Sequence, residues 1–442
     1  MMNTYKSAYF TASFFLIFLL SITTTNAQEK ELKLEDLKKK ALQYSRSIKN
    51  DSLLIKRAEF VKQEAFHNYF PEVSASAFAV QAFDYLVPEI PTYLPNGIEN
   101  LYAVSATATQ AVYAGGKVRI GNALAELQLE ARKIGHETAV DSVMLTTELK
   151  FWQLIQIQEQ QKVLTAGKTY VNELLKQQQD LLDAGLISKS QLLQVKVEKS
   201  NILANELELS NLRKIALLDL ALYVGMPFDT TMVATSTITK DNFSASILSD
   251  NLNIDLAGNN LYQLSEKQVN AAQLEVKNEK SNLLPQVAVG INAAKVGTFN
   301  NAFNMDFQPI AFGTVSIPIS AFWGKEKKRI HQKEVDLKIA KNNLLDVEDQ
   351  LTKYITKNWY DLQTANKRIL VATDKLDFAT ENLEAQRDNY NNGLNNLSDL
   401  LDARQAKEEA EAGLVNAIAN FKQKEATYLY SINQIEIPAL DK

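Results

Sequence analysis

Residues 390–403 have the sequence YNNGLNNLSDLLDA and lie between two long segments of helix-forming composition. Gly393 suits the left-handed conformation that follows the last turn of many helices, because glycine has no Cβ to clash there. Asn396 is a favourable N-cap for a helix that begins directly after it. The stretch therefore predicts a tight connection between two helices, so the region around it is predicted to be a helical hairpin.

The positions of the nine prolines predict that these helices are very long. No proline occurs between residues 95 and 227 or between residues 318 and 438. Because proline breaks helix interiors, each of these stretches can be helical over most of its length. A helix from residue 116 to residue 182 would extend about 100 Å at a rise of 1.5 Å per residue. No compact globular domain needs a helix of that length.

The hairpin pattern occurs twice in the chain. Residues 183–188, DAGLIS, again place a glycine before a polar cap residue, and Ser188 with Gln191 has the spacing of a capping box. Three landmarks recur at an offset of 207 or 208 residues: Gly116 and Gly324, Trp152 and Trp359, and Gly185 and Gly393. This recurrence predicts an internal duplication.

Two segments with the composition of β-strands precede each hairpin. They are residues 71–87 and 101–113 in the first half and 285–299 and 307–319 in the second, all rich in Val, Ala, Ser, Thr and aromatic residues. Apolar side chains at the even positions from 102 to 108 alternate with small or polar ones at the odd positions. Alternation of this kind indicates a strand with one apolar and one polar face.

The lengths of these strands predict a membrane-spanning sheet. Each has at least the nine to eleven residues that a strand needs to cross an outer membrane. Membrane barrels begin at about eight strands, so four strands cannot close alone. We therefore expect several copies to share one barrel, and three copies would give twelve strands. The alternative is a soluble β-domain that carries helical arms, although aromatic residues near the strand ends favour a membrane girdle.

The predicted organisation has four regions: a signal peptide at 1–27, a first repeat at 28–225, an equatorial linker at 226–260 and a second repeat at 261–442. The signal peptide is predicted from Lys6, the apolar segment that follows and the small residues before Gln28. Each repeat contains a helix, a strand pair and a helical hairpin, with the hairpins at 115–225 and 323–434. A short C-terminal tail follows the second hairpin.

Composition and motifs argue against an enzyme or a nucleic-acid-binding protein. The formal net charge of −5 gives no electrostatic reason for binding nucleic acid. The chain has no cysteine, and its three histidines, His67, His136 and His331, are far apart in sequence. No His-Glu-x-x-His pair, nucleophile elbow or phosphate-binding loop occurs. We therefore expect no catalytic residue, cofactor or metal ion.

Taken together, these motifs resemble the TolC family of outer-membrane efflux and secretion channels. Residues 390–403 are similar to the family's Tyr-x-x-Gly followed by Asp-x-x-Asp-Ala. NYFP at 68–71 and LLP at 283–285 resemble the start of each strand pair, and AGG at 114–116 and FWG at 322–324 resemble its end. The resemblance covers residues 28–434.

The resemblance implies a mainly α fold with membrane β-structure. Three subunits would form one twelve-stranded β-barrel in the cell outer membrane, continued by a periplasmic α-helical tube. The homotrimer would contact outer-membrane lipid and dock to a periplasmic adaptor (membrane fusion) protein and an inner-membrane pump. It would give small molecules or proteins an exit path, as in drug efflux or type I secretion.

Asp399 and Asp402 are the candidate channel constriction. They are three residues apart on one helix, so both carboxylates lie on the same face. The resemblance implies that three copies place six carboxylates around the periplasmic mouth, where they would attract cations. An alternative is that Asp399 only interacts favourably with the helix dipole. Gln191 stands at the equivalent position of the first hairpin, and Asn395 stands where a basic residue can latch the closed tip.

The hairpin tips are the candidate contacts with the adaptor. Gly185 with Leu186 and Gly393 with Leu394 each place an apolar side chain beside a turn glycine. Such a side chain suits a small apolar socket on a partner. The alternative is that each leucine makes the hydrophobic contact that often accompanies a helix C-cap.

Two other functions and one further contact fit the same sequence. A periplasmic coiled-coil scaffold or a surface adhesin would also use long helical arms, without transport. The basic run 325–331 commonly represents a solvated helix start, but it also suits contact with anionic lipid headgroups at the inner leaflet.

Overall fold

A computed structural model describes residues 31–236, 252, 254–319 and 323–439, so the expected signal peptide lies outside the described residues. The elements of the first half are β1 (Glu31–Leu32), α1 (Leu34–Tyr44), α2 (Arg46–His67), β2 (Glu72–Gln81), β3 (Asn100–Tyr113), α3 (Lys117–Asp183) and α4 (Lys189–Val224). Those of the second half are β4 (Val233–Ala234), α5 (Asn260–Ser281), β5 (Gln286–Gly297), β6 (Asn304–Ser316), α6 (Lys325–Asn391) and α7 (Leu397–Ser431).

The two strand pairs form one antiparallel sheet in the order β2-β3-β5-β6. The polar face carries two cross-strand hydrogen bonds, between the hydroxyls of Ser76 and Ser105 at 2.9 Å and from Asn292 Nδ2 to Thr107 Oγ1 at 2.6 Å. Apolar residues such as Val104 lie on the opposite face of β3, as the alternation in the sequence predicts. Among the strands of the described residues, β2 and β6 each have a free edge.

The observed strands differ from the predicted ones at their outer ends. Strand β2 ends at Gln81 instead of Val87, because the chain folds back there: Val87 forms an isolated bridge with Ile98. Strand β6 begins at Asn304, three residues before the predicted start. The Asn-rich turn before it is correspondingly short, and its Asn301 has a positive φ of 56°.

Two continuous helices determine the length of the molecule. Helices α3 and α6 have 67 residues each, which corresponds to about 100 Å. Each runs beside two shorter helices that meet end to end, α4 with α2 along α3 and α7 with α5 along α6. At the first junction Gly225 lies directly under the ring of Tyr44. At the second, Asn259 Nδ2 donates a hydrogen bond to the carbonyl of Ser431.

The buried apolar side chains form three clusters along the helices. One, at the level of the helix junctions, includes Leu37, Phe151 and Leu217. A second joins α3 and α4 to the start of α7 through Leu397 and Leu400. The third lies between α6 and α7. The core is therefore distributed along the arm, as expected for a molecule this long and thin.

The predicted linker 226–260 contributes a small structural element to the junction. Residues 233–234 form β4, which pairs in parallel with β1. The side chain of Gln158 hydrogen-bonds to both backbone groups of Ala234 at 3.0 Å. Arg213 donates hydrogen bonds to the carbonyls of Thr230 and Met232. The described start of this segment is thus held firmly against α3 and α4.

Within the residues that the structure describes, no helix combines the length and the apolar character needed to cross a bilayer.

Candidate functional site

The two hairpin tips have the same backbone geometry. Gly185 and Gly393 both adopt a φ of +71°, and added Cβ atoms at either position would meet no other atom within 4 Å. The N–H groups of Leu186 and Leu394 each donate to a carbonyl five residues earlier, at 2.9 Å. Glycine is favoured here because it adopts a positive φ without steric cost. Both tips are therefore Schellman-type helix ends, which the sequence predicted.

The leucines at the tips point into solvent in a single subunit. Leu186 is 71% exposed and Leu394 is 72% exposed. A leucine that served mainly as a C-cap contact would be covered by the helix it terminates. The geometry therefore leaves both side chains free to contact another molecule.

Asp399 and Asp402 share an exposed face at the start of α7. Both side chains are exposed, whereas Leu397 and Leu400 on the other side of the same turn are buried. The backbone N–H of Asp399 donates to Asn396 Oδ1 at 3.0 Å, so the N-cap is provided by asparagine. Neither carboxylate has a cationic partner in the described part of the chain. Both acids are thus available to face the axis of an assembly.

Gln191 and Asn395, the two residues that depart from the family pattern, have local structural roles. The backbone N–H of Ser188 donates to Gln191 Oε1 at 3.3 Å, which completes the predicted capping box. The amide of Asn395 donates to Gln386 Oε1 on the preceding helix of the same hairpin. The position of a basic latch is therefore occupied by a neutral pair of amides.

A buried cluster of charged side chains connects the two hairpins. The sequence did not predict this cluster. Arg404 on α7, with a side chain only 5% exposed, forms ion pairs with Glu198 on α4 and with Glu408 at 2.6 Å. Gly167 on α3 leaves room for it, since a Cβ there would lie 2.9 Å from Glu408 Oε2 and 3.2 Å from Arg404 Nη1. A glycine inside a long helix was the one sequence signal of this close approach.

The surroundings of this cluster shift the pKa of Glu408. Burial raises the pKa of its carboxyl group, Arg404 lowers it in part, and the negative charges of Glu198 and Glu411 raise it further. Arg404 Nε has no hydrogen-bond partner in the described chain. One cation therefore serves two carboxylates in a place where water has little access.

Two further polar contacts cross between the hairpins. Gln178 Nε2 on α3 donates to the hydroxyl of Tyr390 on α6 at 2.8 Å. Nearer the junction, Gln156 and Gln160 both donate to Asn416 Oδ1 at 2.7 Å. These contacts could not be inferred from local pattern, because their partners are more than two hundred residues apart.

Of the helices that the structure describes, two have no neighbouring helix on one side. Helix α6 packs on α7, α7 on α3 and α3 on α4, so α6 and α4 are the outer helices of the hairpin layer. Exposed apolar side chains follow both of them: Leu193, Val197, Leu207, Ile215 and Leu222 on α4, and Val335, Ile339, Tyr360, Val371 and Phe378 on α6. Surfaces of this kind commonly mark protein contacts.

Among the described residues, no group of three or more acidic or histidine side chains is arranged to hold a metal ion.

Comparison with known proteins connects this geometry to a family. The family model described as "Outer membrane efflux protein" matches residues 252–432, which include the second tip. Residues 252–432 form an outer membrane efflux protein domain. The resemblance that residues 390–403 suggested is confirmed, as is the predicted location in the outer membrane. No curated protein matches the sequence at a significant level.

Solved channels share the fold of the efflux protein domain and of the chain around it. The outer membrane channel CmeC of Campylobacter jejuni is 14% identical, with a TM-score of 0.77 over 92% of this chain and 87% of that one. VceC of Vibrio cholerae is 16% identical, with a TM-score of 0.77 over 90% and 95%. The open state of the Neisseria gonorrhoeae MtrE channel is 14% identical, with a TM-score of 0.73 over 90% and 88%.

These similarities confirm the predicted fold class, in which paired strands are continued by long helical hairpins. Together, the efflux protein domain and the shared fold support an outer-membrane efflux channel.

Proposed function

We propose that three copies of this chain form an outer-membrane channel that gives small molecules or proteins an exit path from a periplasm-spanning pump or secretion complex. The observation that supports this most directly is that one subunit has open edges in both of its layers. The sheet ends at β2 and β6, and the hairpin layer ends at α4 and α6.

The two strand edges are complementary to each other. Because the sheet is antiparallel throughout, β2 and β6 run in opposite directions. Strand β6 of one copy can therefore extend the antiparallel ladder of β2 in the next, and unpaired strand edges are unfavourable in lipid. Head-to-tail contacts of this kind generate a closed ring when the rotation between copies allows it. Three copies then contribute the twelve strands of one barrel.

The helix edges support the same ring. The exposed apolar side chains of α4 and α6 lie on opposite ends of the layer, so α4 of one copy would meet α6 of the next. Leu207 is 75% exposed and Phe378 is 71% exposed in the single subunit. Burial of such side chains contributes about 1.5–3 kcal/mol each. The ring would therefore close the helical tube and the barrel together.

The assembly is tested by purification in detergent from the outer-membrane fraction. We expect three chains per particle, and we expect Val197→Asp combined with Leu207→Asp on α4 to reduce the fraction of trimer at least tenfold. A matched control, Leu186→Asp combined with Leu394→Asp, changes two equally exposed leucines at the tips and should leave the trimer intact. A monomer that is soluble without detergent would contradict the channel.

We further propose that Asp399 and Asp402 form a ring of six carboxylates at the periplasmic mouth of this trimer. Negative charges gathered around one axis attract cations. In single-channel recordings, we expect Asp399→Asn combined with Asp402→Asn to lower cation-over-anion selectivity severalfold and to weaken block by divalent cations. Asp374→Asn, on an exposed face of α6, is the control. Unchanged selectivity and block in the double variant would rule out this ring.

We also propose that Leu186 and Leu394 enter apolar sockets on a periplasmic adaptor. Their exposure in both repeats supports this role. A photo-crosslinking residue at either position should give an adduct with the adaptor in cells, whereas the same residue at exposed Leu53 on α2 should not. If crosslinks form only from position 53, the tips are not the docking site.

A further inference from the structure

Helix α6 begins with a group of unpaired cations. Lys325, Lys327, Lys328 and Arg329 are all exposed, and none has a carboxylate partner in the described part of the chain. Glu326 is the one acid in the first turn. Further along the same helix, Lys333 pairs with Glu275 at 2.7 Å and Lys357 with Asp361 at 2.8 Å. Among the described residues, the cations at the start of α6 therefore have no carboxylate partner.

The helix itself does not explain these cations. The N-terminus of a helix has a partial positive charge, so lysine and arginine in the first turn are unfavourable there. Helix α3 also begins with cations, Lys117 and Arg119, and has no acid in its first turn. These two residues lie 208 positions before Lys325 and Lys327, the offset of the internal repeat. Both long helices thus begin with charges that oppose their own dipoles.

Exposed apolar side chains lie at the same level of the molecule. Ile317 and Ile319 follow the last strand, and Trp323, which is 84% exposed, directly precedes α6. Before the first strand pair, the exposed Phe66 and Phe70 lie at the end of α2. Their rings pack edge to face, with the ring centroids 5.7 Å apart. Aromatic side chains beside cations at the end of a membrane-spanning segment are typical of the lipid headgroup region.

A cavity of about 480 Å³ lies at this boundary in the first repeat. It is lined by Tyr69, Tyr113 and Arg119 together with Gln110. Gln110 Nε2 donates to the carbonyl of Ala111 at 3.1 Å, but Gln110 Oε1 is buried without a hydrogen-bond partner in the described chain. The cavity therefore combines one cation and two aromatic rings.

We propose that the cations at the start of α3 and α6 bind the phosphate groups of anionic phospholipids in the periplasmic leaflet of the outer membrane. Lys325, Lys327, Lys328 and Arg329 attract the headgroups, while Trp323 and its apolar neighbours contact the acyl chains. In the first repeat, Arg119 binds a phosphate in the cavity, and Tyr69 and Tyr113 line the same space. This inference rests on the proposed channel, which sets the boundary between sheet and helices at the membrane surface.

The test compares lipids that remain bound to the full-length trimer. The protein is inserted into nanodiscs of equal parts phosphatidylglycerol and phosphatidylethanolamine, and retained lipids are counted by native mass spectrometry after mild release. We expect about fivefold enrichment of phosphatidylglycerol, since each cation near a lipid surface favours anionic headgroups. The variant K325Q/K327Q/K328Q/R329Q should retain less than twofold enrichment.

A matched variant removes the same charge from the same helix farther from the sheet. K341Q/K367Q/R368Q/K375Q replaces four exposed cations of α6 and should leave the enrichment unchanged. Equal loss in both variants, or equal retention of the two lipids by the unmodified trimer, would overturn the lipid site alone. Absence of any trimer in the nanodiscs would instead overturn the channel on which the site depends.

Discussion

Replacing Arg404 with methionine is expected to lower the free energy of unfolding of the helical arm by about 3–5 kcal/mol. The guanidinium group is the cationic partner of both Glu198 and Glu408, and its side chain is almost completely buried. Methionine fills a similar volume but leaves two carboxylates without a counter-charge, in a place where solvation is poor. The change is measured by urea denaturation followed by circular dichroism at one fixed protein and detergent concentration.

A second variant distinguishes the loss of charge pairing from a loss of packing. Combining Arg404→Met with Glu198→Gln and Glu408→Gln removes all three charges, so most of the lost stability should return. If the triple variant is as unstable as the single one, the cluster contributes through packing instead. Lys407→Met provides a control on the same helix, because its ion pair with Glu411 lies within one helix and is more exposed.

Replacing Gly225 with alanine is expected to lower the free energy of unfolding by about 3 kcal/mol. The residue has a φ of +71°, and an added Cβ would lie 2.0 Å from Cγ of Tyr44. Alanine therefore strains the backbone and displaces the ring of Tyr44, where the end of α4 meets the end of α1. The same urea titration measures the effect.

The two tip glycines separate the cost of backbone strain from the cost of the clash with Tyr44. Gly185 and Gly393 have the same φ of +71° with open space around them, so Gly185→Ala and Gly393→Ala should cost only about 1 kcal/mol each. In a Tyr44→Ala background, Gly225→Ala should also cost about 1 kcal/mol. If Gly225→Ala in the otherwise unmodified chain lowers the free energy of unfolding only as much as the tip variants do, Tyr44 moves aside without cost.

The helix ends and helix lengths could be predicted because local sequence signals specify them. Gly185 and Gly393 end their helices because a positive φ excludes most other residues, and Ser188 begins the next helix through its capping box with Gln191. The absence of proline within α3 and α6 made their length predictable. The end of β2 was not, because a bridge between Val87 and Ile98 redirects the chain, and no local pattern encodes that pairing.

The candidate site was predictable to the same extent. Asp399 and Asp402 are adjacent in sequence, and their exposure follows from the buried Leu397 and Leu400 between and beside them. The ion pair of Glu198 with Arg404 joins residues 206 positions apart. Only the packing of one hairpin on the other brings those side chains together, so periodicity within either hairpin gives no information about it.

The free strand edges also have a consequence for how the protein matures. An isolated protomer would present unpaired backbone groups along β2 and β6, and such groups recruit any extended chain nearby. If copies pair through these edges as proposed, folding and association are coupled, and stability increases with the concentration of the chain. In the proposed ring, a low concentration of the chain would therefore lower its stability.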